Sequence, residues 1–252
     1  MIGFNRVTGA GSRHAFSTHY PIISSNCEKN LRSVFAACLL ALPFCAALTA
    51  QSAQAHPHVW VDAGIEVIFD ADGRASALRI RWTYDEFYSL VLVEERGQDA
   101  DHDGTATAAE NAALSGFDMN WHADFAGDTY LLAGGQPVAL SRPESWTADY
   151  RDGRLTSTHV RRIDPPLDPL QGLQVQVYDP GFYTAYTIAF APVFTPALPK
   201  GCSAQVLEPD RSAADQQLLD ALAEYGADEN LEADFPAIGA SFSEEVKITC
   251  AP

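Results

Sequence analysis

The chain has 252 residues, 33 acidic side chains against 16 basic ones, and a formal net charge of −17 at pH 7. A surface of that sign repels nucleic acid and anionic membranes and attracts cations, so nucleic-acid binding is excluded as a function class. With 47% hydrophobic and 10% aromatic residues, the composition suits a globular domain with a sizeable core.

Arg32 precedes an uncharged apolar run over 33–48, and small and polar residues then lead to Ala53-Gln54-Ala55. That order is the pattern of a secretory signal ending in an A-x-A cleavage site. The run is short and broken by Pro43, which argues against a transmembrane helix. Residues 1–55 therefore read as a removed signal peptide, and 56–252 as a single periplasmic domain. The leader holds Arg6, Arg13, Lys29 and Arg32 against Glu28 alone, so the mature chain is more acidic still, 12 basic against 32 acidic. Cleavage after Ala55 gives the mature chain a free α-amine on His56, followed by Pro57 and His58. Nitrogen donors packed this closely suit zinc, nickel or copper. Pro57 has no amide proton to lose, which blocks the square-planar amino-terminal chelate that uses deprotonated amides.

From His58 the chain alternates, with Val59, Val61, Ala63, Ile65, Val67 and Phe69 on one face. A period of two predicts a strand with that face buried. Asp70-Ala71-Asp72-Gly73 turns into a partner strand carrying Leu78, Ile80, Trp82 and Tyr84. Arg79 and Arg81 share one face of that strand, opposite Asp62 or Glu66.

Residues 85–95 read as a short helix with Asp85 near its start. Next comes Asp99-Ala100-Asp101-His102-Asp103-Gly104-Thr105-Ala106-Thr107-Ala108-Ala109-Glu110. Acids at the first, third and fifth places, Gly at the sixth and Glu at the twelfth match the EF-hand calcium loop. Asp99, Asp101 and Asp103 would point inward, Thr105 would offer its carbonyl, and Glu110 would close the sphere as a bidentate ligand. A helix from Ala108 to Leu114 completes an EF-hand-like insertion over about 85–117. Only one such loop is present, which favours a structural ion over a calcium switch. His102 occupies a place that does not ligate.

Beyond this, hairpins are predicted around Gly134-Gly135, Asp152-Gly153 and Pro180-Gly181. A helix over 213–225 with Leu218, Leu219 and Leu222 buried, and a last strand over 246–250, complete the chain. The fold class is α+β, a mainly antiparallel sheet built from hairpins, with the insertion and a C-terminal helix. Of the five cysteines only Cys202 and Cys250 survive removal of the leader. In an oxidising compartment they read as a disulfide, worth about 4 kcal/mol in the chain-entropy picture.

His122 and His159 are the candidates to complete a site with His56 and His58, although a lone histidine is more often a satisfied structural residue. No Gly-x-Ser-x-Gly, HExxH or phosphate-cradling loop is present, so no catalytic residue is assigned.

His56-Pro57-His58, the Val59-Trp60-Val61-Asp62 strand, Arg81-Trp82-Thr83-Tyr84-Asp85-Glu86, the acidic loop, Tyr150-Arg151-Asp152-Gly153-Arg154-Leu155 and Val177-Tyr178-Asp179-Pro180 occur in this order. In this the chain resembles the bacterial family called domain of unknown function 1007, labelled as periplasmic components of an uncharacterised ABC-type transport system. Members of that family often accompany nickel/cobalt-type permeases, so the resemblance implies a metal permease or ABC-type transporter as partner. The segment Asn120-Trp121-His122 departs from the family pattern, which weighs against a ligand role for His122.

Three readings follow, in order. The first is a metal-binding accessory of a transition-metal transport or homeostasis system, using His56 and His58, with a separate structural calcium. The second is a calcium-stabilised partner-docking protein. The third is a copper oxidoreductase with an amino-terminal histidine brace.

Overall fold

Alternating apolar and polar side chains leave a strand one face to bury, and the first strand follows that rule throughout. In a computed structural model describing residues 57–226 and 235–251, β1 (Val59–Phe69) buries all six of its odd-numbered side chains. His56 and the expected leader lie outside the described residues. At Asp70 one carboxylate oxygen accepts the backbone N–H groups of Asp72 and Arg74, both at 2.9 Å, which makes the turn. The chain returns as β2 (Ala75–Tyr84), antiparallel to β1 with Ile80 opposite Ile65.

Two sheets result. The first runs β5 (Glu144–Arg151), β6 (Arg154–Leu167), β2, β1, β8 (Thr184–Ile188), with β9 (Val193–Thr195) also along β1. The second runs β10 (Cys202–Leu207), β11 (Glu245–Cys250), β7 (Leu173–Val177), β3 (Thr129–Ala133), β4 (Gln136–Val138). Ile65, Val67, Leu78 and Ile80 of one sheet and Leu131, Val175, Val246 and Ile248 of the other share a single core. The fold is mixed α/β and mostly antiparallel; β8 and β9 pair parallel with β1. The described residues hold three α-helices: α1 (Glu86–Glu95), α2 (Ala108–Leu114) and α3 (Arg211–Leu222). None of the helices is long and apolar enough to cross a membrane.

The hairpins at Gly134-Gly135 and Asp152-Gly153 form as expected. The third does not. β7 pairs with β3 and β11 in one sheet while β8 joins β1 in the other, so Pro180-Gly181 is a crossover. Asp179 sets it: its carboxylate accepts from Gly181 N at 2.9 Å and Thr184 N at 3.0 Å, bending the backbone away from a hairpin return. On α3 the buried residues are Ala214 and Leu218, whereas Leu219 is exposed and Leu222 half-buried, because the helix packs mainly on the 3-10 turn Gly239–Phe242. The arginines of β2 also divide. Arg79 pairs with Glu66, while Arg81 lies over the Phe190 ring at 4.1 Å, and Asp62 takes Arg154 at 2.7 Å instead.

A second, smaller core lies between the helix–loop–helix and the β5–β6 hairpin, formed by Leu92, Val93, Ala106, Leu114, Tyr150 and Leu155. Cys202 and Cys250 are directly opposite in the β10–β11 ladder and are joined by a disulfide, as expected.

Candidate metal centre

Asp85 ties the start of β1 to the helix that leads into the acidic loop. One carboxylate oxygen caps α1 by accepting from Tyr88 N at 2.8 Å, and the other accepts from Trp60 N at 3.0 Å. After α1 the backbone enters the left-handed region at Asp99, His102 and Gly104. Gly104, at φ 78°, is where glycine relieves the strain of that coil. Asp99 is 4% exposed, and its two oxygens accept from Asp103 N at 3.2 Å and Gly104 N at 3.1 Å. Asp103 in turn accepts from Thr105 N at 2.8 Å.

The coil draws together Asp99, Asp101 and Asp103, with one carboxylate oxygen of each lying within 4.8 Å of the others. Glu110 is not part of that group. Its carboxylate accepts from Ala100 N at 3.3 Å and from Thr107 N at 2.8 Å, closing a capping box at the start of α2. These bonds, the Thr107 hydroxyl first, hold the Glu110 carboxyl below its ordinary value. To act as a bidentate ligand Glu110 would exchange the Thr107 cap for the ion. The three converging donors are all carboxylate oxygens, a set that suits a hard cation such as calcium and disfavours zinc or nickel.

The loop is braced from one side by the β5–β6 hairpin. Ala106 N donates to Tyr150 O at 2.9 Å, Gly153 N to Gly104 O at 3.0 Å, and Asn111 bridges Ala106 O and Tyr150 N. His102 points outward, 3.1 Å from Glu94.

His58 opens β1. Its N–H donates to Tyr183 O at 2.8 Å and its ring lies 4.7 Å from the Tyr183 ring. Trp60, Phe87, Leu90 and Tyr183 are all exposed, Phe87 by 76%. His159 is placed elsewhere. It is opposite Ile80, which is opposite Ile65, so it sits level with a residue seven positions beyond His58. Seven strand residues rise about 23 Å, and two residues of chain from His58 to His56 span at most ~7 Å. His159 is therefore out of reach of both. His122 is exposed, and its carbonyl accepts from Arg142 at 3.0 Å.

Sequence reasoning missed a buried polar group on the inner face of the first sheet. His159 is fully buried, edge-on to Trp82 and Trp121 at 4.8 and 5.3 Å, and neither ring nitrogen has a hydrogen-bond partner. Burial lowers its pKa to about 3. Asp118 accepts from the Tyr84 and Ser157 hydroxyls, and Asp128 from Tyr186 at 2.8 Å. Burial raises both carboxyls, Asp128 to about 7. A signal was present: Ser157, His159 and Arg161 alternate between Leu155 and Ile163, so the period of two turns them inward.

A two-sheet α/β domain with an oxygen-rich loop at one side is thus the class of protein. A family model described as Protein of unknown function (DUF1007) matches residues 41–250, and the chain belongs to that family. No curated protein matches it.

Proposed function

We propose that the protein is an exported, periplasmic accessory component of a transition-metal (nickel, cobalt or zinc-type) transport or homeostasis system. His56 and His58 would capture the metal at the mature amino terminus, and Asp99, Asp101, Asp103, Thr105 and Glu110 would hold a structural calcium. The observation that carries the calcium part is the convergence of three aspartate oxygens within 4.8 Å, on a loop braced by a hairpin. What supports the transition-metal part is the placement of His58 just before β1, two residues beyond the expected mature start, together with the metal-permease context that the family resemblance implies.

The test is to express the whole chain with its leader, recover the exported form and read its amino-terminal residue. Calcium is then titrated, and zinc, nickel and copper are titrated with calcium saturating. Expected are a chain starting at His56, one calcium per chain, and transition-metal binding lost in a His56→Ala, His58→Ala variant. Unchanged transition-metal affinity in that variant would sink the carrier reading.

A second reading, a calcium-stabilised docking protein without transition-metal binding, is favoured by the exposed Trp60, Phe87, Leu90 and Tyr183 near the start of β1 and along α1. Binding of a permease by the double-histidine variant, with no transition metal bound by either form, would select it. The copper-brace reading loses His159 as its opposing imidazole, for the distance given above.

A further inference from the structure

The protein carries a strong negative charge, yet one cleft gathers two arginines and leaves both without a carboxylate. Arg161 is 6% exposed and donates to four backbone carbonyls, those of Ser141, Ala126, Thr129 and Leu140. Arg142 donates to the carbonyls of His122 and Trp121. The two guanidinium groups lie over the Trp121 ring at 5.2 and 5.4 Å, and among the described residues neither has an acidic side chain at ion-pair distance. Gly127 makes this stack possible, since a Cβ there would come within 2.4 Å of the indole. A guanidinium has five N–H donors, so one remains on Arg161 and three on Arg142.

Both arginines border a cleft of about 420 Å³ between the 123–126 segment, the 139–142 segment and the β3–β4 hairpin. Thr129 borders it through its backbone, its side chain being turned with that of Leu131 to the core face of β3, away from Tyr130. Asp124 borders the cleft without pairing with either arginine. The remaining wall is largely flat or apolar: Tyr130 and Tyr178 stack at 4.0 Å, beside Leu132 and Val138. The volume falls within the range of small-molecule sites and exceeds what a bare oxyanion fills.

We propose that this cleft binds a small organic acid, its carboxylate held by Arg142 and Arg161 and its planar apolar body lying along Tyr130 and Tyr178. Guanidinium donors match the two oxygens of a carboxylate, and the flat walls select a ligand with a ring or an unsaturated chain. The site is independent of the calcium loop and of His56 and His58, and its failure would leave the proposed function untouched.

The test titrates the exported, calcium-loaded chain with benzoate, following heat and the tryptophan emission that Trp121 contributes. Acetate, inorganic phosphate and benzyl alcohol serve as comparators for charge without a ring, a multivalent oxyanion, and a ring without charge. Expected is saturable benzoate binding, at least tenfold tighter than acetate and benzyl alcohol. Arg142→Ala, at an exposed position, should weaken it at least tenfold, with its circular dichroism unchanged. No saturable binding, or equal affinity in Arg142→Ala, overturns the proposal. Phosphate binding tighter than benzoate overturns the assignment to an organic acid.

Discussion

The two sheets and the helix–loop–helix beside them are held together by different means. Between the sheets, apolar side chains from both inner faces close a continuous core, and the ladder bonds are satisfied by neighbouring strands. The helix–loop–helix has four buried apolar side chains, Leu92, Val93, Ala106 and Leu114, and a seven-residue α2 whose buried residue is Leu114. A helix that short is not stable alone in water. Its order comes from hydrogen bonds to the β5–β6 hairpin and from a coil that brings three carboxylates together. Burial holds the first region, while the second is expected to need a cation to offset its own repulsion.

The largest effect tests the sandwich. Replacing both Cys202 and Cys250 with Ser should lower stability by about 4 kcal/mol, measured by urea denaturation, with calcium affinity unchanged. An altered calcium affinity would show that the two regions are not separate. Leu131→Ala, in the sandwich core, should cost about 3 kcal/mol and raise hydrogen exchange throughout the domain. Leu114→Ala should instead raise exchange mainly over residues 86–114; uniform exchange in both variants would break the contrast.

Calcium comes next. Saturation at about a hundred times the dissociation constant should stabilise by ~2.7 kcal/mol if binding is coupled to global unfolding. Asp99→Asn should abolish that gain, since Asp99 both lines the loop and organises its turn. A calcium-independent melting temperature in the parent chain would remove the cation from the account.

The effect smallest per step is that of one pH unit, and it lies wholly within the sandwich. Between the ordinary carboxylate value of 3.8 and about 7, folded Asp128 keeps a proton that the unfolded chain has lost. Its contribution therefore declines as pH rises through that window. Between 6.5 and about 3, folded His159 refuses a proton that the unfolded chain takes up, so its contribution declines as pH falls. Each slope is at most about 1.4 kcal/mol per pH unit, and they oppose one another from about pH 4 to 6.5. Asp128→Asn should expose the histidine slope, with stability lost on acidification below 6.5. His159→Phe should expose the opposite one, with stability lost as pH rises toward 7. Urea midpoints at several pH values check both, and two flat profiles would contradict the buried state of these groups.

Much of this was legible in the residues. The six odd-numbered apolar positions of β1, the turn at Asp70, the helix start at Asp85 and the carboxylate spacing of the loop are local patterns. Local patterns are what a single sequence displays. The partner of β8 was not legible, because Pro180-Gly181 between two alternating segments looks the same whether the chain folds back or crosses to the other sheet. Glu110 illustrates a finer limit: its place in the spacing is that of a ligand, while the local capping box with Thr107 competes for the same oxygens.

By itself, then, the sequence determined the buried face of β1, the turn at Asp70, the start of α1, which two cysteines pair and which acids share a coil. Each of these depends on residues a few positions apart, or on elimination among very few candidates. The tertiary structure decided which strands lie side by side, and it placed His159 in a tryptophan-lined interior far from His58. It also brought Arg142, Arg161 and the stacked Tyr130 and Tyr178 to one cleft from separate segments. Such juxtapositions depend on how two sheets twist and stack, and no spacing along the chain encodes that.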